Sequence, residues 1–349
     1  MSKKMKAVFL RDGAIQFDER AKPIPGPGQV LVKTKCCGIC GSDLHFYKHP
    51  EELLGPNPPD IFLGHEYCVE ICAFGPETKQ EMQVGQRACS IPFVETEDGA
   101  RAPIGTNTER YGAYSEYFLL SENLILAVPD NLADEAVALV EPLAVGIHAV
   151  SRSEIANNAI AVVYGCGPIG LATISALKNQ GIDKIVASDP TAKRRILATE
   201  MGATIVVDPS NDEVMSHVSL LQSDSYEGRD EVVIFECVGI HTMIPEIIAS
   251  APAKSTIVFA GVHTKDTTFN PIVAMVKELD IKFTFYYEND EYEQALILLA
   301  SGKLKWQPLV TGTVGYDGIQ GAFETLLSPN EHIKIMIQPW RTGALSKTE

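Results

Sequence analysis

The sequence predicts an α/β protein in which a doubly wound parallel sheet follows a β-rich domain, and three observations lead to that prediction. The 349 residues suit two domains at about 150 residues each. Up to about residue 150, short strand-like runs are interrupted by many glycines and prolines. Beyond that point, short apolar runs alternate with helix-length segments, which is the pattern of parallel strands joined by crossover helices.

The first domain reads as irregular and β-rich. Residues 6–10 and 14–17 flank the pair Asp12-Gly13, which favours a tight β-hairpin. Residues 30–32 resume a strand. The polar segment 95–110, punctuated by glycine and proline, is expected to be an exposed loop.

The second domain is predicted from six short apolar runs, because unbroken apolar runs are typical of parallel strands that are buried on both faces. These runs cover residues 159–164, 184–188, 204–207, 231–235, 256–260 and 281–285. The uncharged stretch 155–177 is long enough for a membrane span, but its asparagines, glycines and proline favour a strand, a turn and a helix. An amphipathic helix is predicted over residues 292–300.

Composition narrows the function. The chain carries 29 Lys and Arg against 45 Asp and Glu, a formal net charge of −16, so we expect neither nucleic acid nor a membrane surface as a partner. The N-terminal residues are not expected to form a signal peptide. Eight cysteines without such a signal favour a reducing compartment, and the cytoplasm is the expected location.

A glycine loop stands between the first apolar run of the second domain and the helix predicted after it. Its residues are Gly165, Cys166, Gly167, Pro168, Ile169 and Gly170. Strand, G-x-G-x-x-G and helix in this order predict a dinucleotide site, with the phosphates at the helix N-terminus. Asp189 ends the next predicted strand and would accept hydrogen bonds from the adenosine ribose, which favours NAD over NADP. The basic residues 193–195 act against that preference.

Four residues of the first domain form a candidate metal set. Cys40, His65 and Glu66 offer a thiolate, an imidazole and a carboxylate, the ligand types of Zn²⁺. Glu141 stands in an apolar run, where an ionised carboxylate is costly unless a cation or hydrogen-bond donors meet it. His65 and Glu66 both reach one ion only if the backbone bends, and Gly64 permits that bend. Otherwise one of the two is a ligand and the other supports it.

The remaining cysteines and histidines have more ordinary interpretations. Cys36, Cys37 and Cys40 suggest a Cys-x-x-Cys motif, but no second pair follows at zinc-finger spacing. Cys166 and Cys237 are expected to be packing thiols beside the nucleotide turns. Five histidines belong to no candidate ligand set and are interpreted as structural: His148, His217, His241, His263 and His332.

Four motifs in order resemble the zinc-dependent medium-chain dehydrogenase/reductase family over about residues 6–338. They are GICGSDLH at 38–45, GHE at 64–66, EPLAVGIH at 141–148 and the glycine loop. The third is most similar to the sorbitol (polyol) dehydrogenase branch. The resemblance implies a GroES-like catalytic domain over 1–150, a Rossmann NAD-binding domain over 151–289, a C-terminal tail, 290–349, that rejoins the first domain, and an active site in the cleft.

The resemblance also assigns roles. A catalytic zinc would bind Cys40, His65 and one or both of Glu66 and Glu141. Asp43 would orient His65, and Ser42 would accept the substrate proton and pass it by the nicotinamide ribose toward His45. The positions matched to cofactor-binding sites are Gly165, Gly167, Pro168, Ile169, Gly170, Asp189, Arg194, Cys237, Ala260, Gly261 and Val262.

Two departures from the family pattern refine these expectations. Many members bind a structural zinc through four clustered cysteines, but residues 88–113 contain only Cys89, so one catalytic zinc per subunit is expected. Polyol dehydrogenases carry an Arg-Tyr pair after the sixth strand, where this chain has Tyr286 and Tyr287 as candidate substrate-pocket residues. Losing the arginine's fixed donors favours a less hydroxylated substrate, such as a hydrophobic or cyclic secondary alcohol.

The sequence therefore predicts a zinc-dependent enzyme that transfers a hydride between a secondary alcohol or ketone and NAD. A sugar-alcohol dehydrogenase is the alternative within that class. A catalytically silent dinucleotide-binding protein is the alternative from another class, but it would need none of Cys40, His65 and Ser42. The sheet edge after residue 281 is similar to the family's dimer surface and implies a homodimer or homotetramer.

Overall fold

A computed structural model describes residues 3–96, 98–222, 230–328 and 330–348 of the chain. The chain forms two compact units. One contains residues 1–141 together with 296–349, and the other contains residues 142–295.

The N-terminal part of the first unit is built mainly from short strands. They are β1 (Lys4–Arg11), β2 (Ala14–Ala21), β3 (Gln29–Gly38), β4 (Phe62–Leu63), β5 (Glu66–Phe74), β6 (Arg87–Ser90), β7 (Phe93–Glu95), β8 (Arg101–Pro103), β9 (Thr106–Asn107), β10 (Tyr117–Ser121) and β11 (Ile125–Ala127). Its helices are α1 (Gly41–Lys48), α2 (Pro50–Leu54) and α3 (Asp134–Ala138).

Strands and helices alternate along the second unit. In order they are α4 (Val140–Ser153), β12 (Ile160–Tyr164), α5 (Pro168–Gln180), β13 (Ile185–Ser188), α6 (Ala192–Met201), β14 (Ile205–Val207), α7 (Val218–Leu221), β15 (Val232–Glu236), α8 (Met243–Ser250), β16 (Thr256–Phe259), α9 (Pro271–Val276), β17 (Asp280–Phe283) and α10 (Asn289–Ala300). The chain then returns to the first unit through β18 (Val310–Gly315), α11 (Ile319–Leu327), β19 (Lys334–Gln338) and β20 (Ser346–Lys347).

The sheet of the second unit is parallel throughout its described strands, in the order β14, β13, β12, β15, β16, β17. The predicted α/β class with a doubly wound sheet is confirmed. Strand order reverses between β12 and β15, so the carboxyl ends of these two strands flank the crevice in which such sheets bind ligands. The uncharged stretch near β12 and α5 is a strand, a turn and a helix. Among the described residues, no helix combines the length and apolar character that crossing a bilayer requires.

The main sheet of the first unit has the order β11, β6, β5, β3, β19, β18, β20, with β10 also paired to β3. Because β19 pairs antiparallel with β3, the end of the chain becomes part of the same sheet as its beginning. Phe323 on α11 and Ile335 on β19 are fully buried in the core that β3 and β5 also line.

Two loops of the first unit test the sequence predictions. The hairpin at Asp12-Gly13 is confirmed, since β1 pairs with β2 and both turn residues have positive φ, 51° and 72°. The prediction of an exposed loop over 95–110 is wrong in part. Strands β7 and β8 pair there as a second hairpin, and Val94 and Ile104 are buried in the core. Polar residues surround these two apolar side chains, so the sequence shows no clear strand pattern there.

Two arginines fasten the first hairpin to the segment before β4. Arg11 donates from Nε and Nη2 to the Asp60 carboxylate at 2.6 and 2.7 Å, and Arg20 Nη2 donates to Asp60 Oδ2 at 2.6 Å. The hydrogen bonds from Arg11 are the main reason that the pKa of Asp60 is lowered, and those from Arg20 add to the effect. Asp60 therefore stabilises the fold in its ionised form.

We expect Asp60→Asn to lower the urea midpoint of unfolding at pH 7. A carboxyl whose pKa is lower in the folded chain stabilises the fold above its unfolded pKa, about 3.9 for Asp. That stabilisation is lost as the pH falls through the lowered value, so the gap between wild type and variant closes at acid pH. Asp18→Asn is the control, because Asp18 lies 4.0 Å from Arg20 and is mostly exposed. An Asp60→Asn gap of the same size at pH 7 and below pH 3 would contradict the prediction.

Candidate metal centre and nucleotide-binding edge

Three potential metal ligands come together inside the first unit. Cys40 lies between β3 and α1, and His65 and Glu66 stand where β5 begins. One ligand atom from each of the three lies within 4.8 Å of the other two. Gly64, with φ +98°, supplies the backbone bend that lets the neighbours His65 and Glu66 face one point. A sulfur, an imidazole nitrogen and a carboxylate at this spacing form a zinc-type donor set.

The His65 ring is oriented by groups on its two sides. Its Nε2 lies 3.4 Å from Ser42 Oγ, and its Nδ1 lies 3.7 Å from Asp43 Oδ1. Burial lowers the pKa of His65, but the Asp43 carboxylate and the Cys40 sulfur raise it by more, so that it lies well above the usual value. The site is therefore rich in negative donors.

Asp43 is fully buried at the first turn of α1. Its Oδ2 accepts hydrogen bonds from the Cys40 backbone N–H at 2.9 Å and from the Tyr114 hydroxyl at 2.7 Å. Burial raises the pKa of Asp43, while the charge of His65 and these two donors act in the opposite direction. Oδ2 is thus occupied, and Oδ1 is the oxygen that faces His65.

Lys334 is a site residue that the sequence reasoning missed. Its Nζ donates to Glu66 Oε1 at 2.7 Å and to the Ile39 carbonyl at 3.0 Å, and the side chain is 2% exposed. Burial lowers the pKa of Lys334, but the charges of Glu66, Cys40 and Glu141 and the hydrogen bond to Glu66 together raise it by more, so the lysine stays an ammonium. A signal was available, because Lys334 interrupts the apolar run 333–337 just as Glu141 interrupts its own run.

The surroundings of the Glu66 carboxylate show whether the site suits a cation. Its Oε2 is buried and has no hydrogen-bond partner among the described residues, although Oε1 is held by Lys334. A buried carboxylate oxygen without a donor is costly. A metal ion bound by Cys40 and His65 would meet that need, so the residues fit a zinc ion. Gly38 makes room, since a side chain there would begin 2.1 Å from Oε2.

Glu141 lies outside the three-donor cluster. Its side chain is 5% exposed, and its charge raises the pKa of His65 and of Lys334, so it faces the same region. Its role as a ligand stays a prediction.

The two residues of the predicted proton path lie on α1. Ser42 is next to the metal donors through its 3.4 Å approach to His65. His45 points elsewhere, with Nε2 3.4 Å from Glu52 Oε2 and its ring 5.6 Å from the ring of His49. Ser42 therefore lies beside the candidate metal ligands, whereas His45 lies beside Glu52.

The glycine loop of the second unit has the geometry of a phosphate-binding turn. Gly165 has φ +87°, and a Cβ on Gly170 would lie 1.8 Å from the Gly165 carbonyl oxygen, so both positions require glycine. Gly167 caps α5 and would place its Cβ in open space. Pro168 occupies the first turn of that helix. The loop is a cradle at a helix N-terminus that a phosphate group would fill.

Asp189 follows β13, beside this loop. Its Oδ2 accepts the Cys166 N–H at 2.9 Å, and its Oδ1 accepts the Thr191 N–H at 2.8 Å. Arg194 Nη1 lies 3.9 Å from Oδ2. The carboxylate is therefore held at the carboxyl edge of the sheet. The thiols of Cys166 and Cys237 are buried, and burial raises the pKa of both, that of Cys166 to about 12, in line with packing thiols.

Glu236 and His263 were also missed as a pair. Glu236 is fully buried, and its Oε1 accepts the N–H groups of Val238 and Gly239, both at 2.8 Å. Its backbone oxygen accepts the N–H groups of Ala260 and Gly261, and its Oε2 lies 2.7 Å from His263 Nε2. Glu236 thus binds both the loop after β15, which carries Cys237, and the loop after β16, which carries residues 260–262.

The candidate substrate residues Tyr286 and Tyr287 lie between β17 and α10. Tyr286 has φ +58°, and its ring meets Phe285 edge-on at 4.2 Å. Tyr287 stacks on Tyr292 at 5.5 Å. Both rings therefore belong to an aromatic cluster of the second unit.

Comparisons with known proteins agree with this geometry. Residues 26–130 match the alcohol dehydrogenase GroES-like domain, and residues 168–301 match the zinc-binding dehydrogenase domain. The chain is 30% identical to (R,R)-butanediol dehydrogenase of Neisseria gonorrhoeae, covering 96% of this chain and 99% of that protein. It is 31% identical to sorbitol dehydrogenase of Bos taurus, covering 90% of each.

A solved structure gives the same picture. The crystal structure of 2R,3R-butanediol dehydrogenase from Bacillus subtilis superposes with a TM-score of 0.82 at 32% identity, covering 96% of this chain and 99% of that one. The family predicted from the four motifs is confirmed. This chain belongs to the zinc-type medium-chain alcohol dehydrogenases, the oxidoreductase family that also contains the butanediol and sorbitol dehydrogenases.

Proposed function

We propose that the chain oxidises a secondary alcohol to a ketone, or reduces the ketone, with NAD and one zinc ion per subunit. The observation that carries the proposal is the Cys40, His65 and Glu66 cluster, whose ligand atoms lie within 4.8 Å of one another. A silent dinucleotide-binding protein has no use for this donor set, and the burial of His65 and Glu66 would only cost stability.

The chain's own groups divide the chemical work. A bound zinc would supply Lewis-acid chemistry that lowers the pKa of an alcohol hydroxyl, and a bound NAD would supply the hydride acceptor. Cys40, His65 and Glu66 hold the ion, with Glu141 as a further candidate. Asp43 keeps a proton on His65 Nδ1, which leaves the Nε2 lone pair for the metal. Ser42 Oγ would accept the hydroxyl proton of the substrate and pass it by the nicotinamide ribose toward His45.

The cofactor is proposed to be NAD. The Asp189 carboxylate stands where an adenosine ribose is recognised in Rossmann folds, and it would repel a 2′-phosphate. Arg194, at 3.9 Å, reduces that repulsion without replacing the carboxylate. We also propose that a structural zinc is absent, because Cys89 is the one cysteine of residues 88–113.

The substrate is proposed to be weakly hydroxylated. Tyr286 replaces the arginine with which polyol dehydrogenases hold substrate hydroxyls, and a phenol offers one donor where a guanidinium offers five. The aromatic cluster of Phe285, Tyr286 and Tyr287 suits an apolar or cyclic alcohol. Similarity to sorbitol dehydrogenase keeps a sugar alcohol as the second candidate.

Domain roles follow from the same proposal. Residues 1–150 with 290–349 form the catalytic domain, and residues 151–289 form the NAD-binding domain. The eight cysteines are free thiols, which supports a reducing compartment such as the cytoplasm.

An apolar sheet edge supports a homo-oligomer. Strand β17 ends the parallel sheet, and an unpaired strand edge is an invitation to pair with another chain. Exposed apolar side chains accompany it, and we name them the edge patch: Ile272, Met275, Val276, Phe283 and Phe285. A second copy that pairs through β17 about a twofold axis covers this patch on both chains. The assembly is a homodimer or a homotetramer.

The first prediction from the proposed function concerns metal and substrate together. Purified protein should contain one zinc per chain by elemental analysis and oxidise secondary alcohols with NAD⁺ faster than with NADP⁺. Reduced nicotinamide absorbance would be followed across a panel of acyclic and cyclic secondary alcohols, diols and sugar alcohols. Cys40→Ser should lose zinc and activity because a ligand is gone, while Cys72→Ser, a half-buried thiol outside the donor cluster, keeps both.

Each result of that experiment has a meaning. Metal-free wild type that still binds NAD would contradict the proposal and favour the silent binding protein. Fastest turnover on sugar alcohols would favour the polyol alternative and contradict the substrate role given to Tyr286.

The second prediction concerns the proton path. Ser42→Ala should lower turnover by about 10²-fold, the usual contribution of a positioned proton-transfer group. Its zinc content should stay at the wild-type level, because the hydroxyl is not a ligand. Turnover equal to wild type would reject Ser42 as the relay.

The third prediction concerns assembly. Light scattering behind size exclusion should give a mass of two or four chains for wild type. Met275→Glu combined with Val276→Glu should shift the mass downward, since two charges would be buried in the contact. Ile196→Glu on α6 is the matched control, an apolar side chain 60% exposed outside the edge patch. A monomeric wild type, or a double variant of unchanged mass, would disprove this interface.

A further inference from the structure

We propose that Tyr114 is a positioning residue of the metal centre, which holds His65 in its metal-binding orientation from two directions. The inference rests on the proposed zinc site at Cys40, His65 and Glu66. Tyr114 is not one of the donors and lies outside the motifs that carry the family resemblance.

The first direction runs through the hydroxyl. Tyr114 Oη donates to Asp43 Oδ2 at 2.7 Å, and neither side chain is exposed. The Cys40 N–H binds the same oxygen at 2.9 Å. Two donors on Oδ2 fix the rotation of the carboxylate about its Cβ–Cγ bond. Oδ1 is therefore directed at His65 Nδ1, 3.7 Å away.

The second direction runs through the ring and backbone. A Cβ on Gly64 would lie 2.5 Å from Tyr114 Cδ1, so the ring is packed directly on the residue that precedes His65. The Tyr114 N–H donates to the Leu63 carbonyl at 3.3 Å, and the Ala113 N–H donates to the Gly64 carbonyl at 2.9 Å. The bend that brings His65 to the donors is therefore formed against Tyr114.

The tyrosine is itself held from behind. Phe323 on α11 meets its ring edge-on, with centroids 6.2 Å apart and planes at 88°. The ring has a fixed place in the core, so the hydroxyl reaches Asp43 without a search over rotamers. Removing the hydroxyl alone therefore separates the hydrogen-bond route from the packing route.

Groups that fix a ligating histidine from outside the donor set are typically worth 10- to 100-fold in metal affinity. Without the Tyr114 hydroxyl, Asp43 Oδ2 keeps one donor, the Cys40 N–H, and the carboxylate gains freedom to turn away from His65. The histidine then binds the metal from a less ordered ring. A tyrosine that served only to fill the core would lose none of this function on conversion to phenylalanine.

The chain offers a matched control in Tyr67. This tyrosine is also fully buried in the same core, and its hydroxyl donates to the Ile91 carbonyl at 3.4 Å and not to Asp43. Tyr67→Phe and Tyr114→Phe remove the same atom from comparable surroundings.

The experiment measures zinc affinity by competition with a chromophoric chelator for wild type, Tyr114→Phe and Tyr67→Phe. We expect a loss of at least about 10-fold in Tyr114→Phe and less than about 2-fold in Tyr67→Phe. The visible spectrum of the cobalt-substituted protein should change in Tyr114→Phe alone, since a packing defect does not alter ligand geometry. Equal affinity in wild type and Tyr114→Phe, or equal losses in both variants, would overturn the inference.

A double-mutant cycle tests the route. If Tyr114 acts through Asp43, then Tyr114→Phe should have little further effect on zinc affinity in an Asp43→Asn background. Additive losses would overturn the route through Asp43. Failure of the underlying proposal looks different, because wild type itself would then bind no zinc, or Cys40→Ser would bind it as tightly as wild type.

Discussion

The interior of the first unit contains buried carboxylates, and the need to balance their negative charge is the constraint on which its architecture depends. Asp43 and Glu66 are both fully buried, and each carboxylate must find donors or a cation within the protein. Asp43 is met by a backbone N–H and by Tyr114, and one oxygen of Glu66 is met by Lys334. The other Glu66 oxygen has no donor among the described residues, and a sulfur and an imidazole nitrogen accompany it in the candidate metal centre. The first turn of α1, the start of β5 and the start of β19 converge because each delivers one of these groups.

The features that could be predicted from the sequence are those whose physical cause is local. Gly165 and Gly170 are required by a positive φ and by contact within the same turn, so a six-residue pattern identifies the loop. The hairpin at Asp12-Gly13 depends on two residues with positive φ. Unbroken apolar runs predicted the strands of the parallel sheet, because strands buried on both faces leave no place for polar alternation. The hairpin of β7 and β8 escaped because its strands are short and partly exposed, and their sequence resembles that of a loop.

The features that could not be predicted depend on residues far apart in sequence. Lys334 lies 268 positions from Glu66, and Tyr114 lies 71 positions from Asp43. The nearest acid to His263 in the sequence is Asp266, yet the parallel order of β15 and β16 brings its ring to Glu236 instead. A single charged residue within an apolar run, such as Lys334 or Glu141, indicates that another group must balance its buried charge. The sequence does not identify that partner, because the fold determines which residues meet.

In the proposed metal centre, Lys334 and Tyr114 would act in opposite senses. The ammonium of Lys334 holds Glu66 in place before any ion binds, since a buried carboxylate without it would cost several kcal/mol. The same ammonium competes with a metal ion for that carboxylate. Tyr114 donates to Asp43 and so fixes the orientation of the carboxylate that faces His65, without adding charge. Lys334 would therefore stabilise the folded site without a metal ion, and Tyr114 would keep His65 oriented to bind one. Lys334 comes from β19 and Tyr114 from the segment before β10. The two opposing effects on the site therefore depend on the fold of the whole unit and not on one sequence motif.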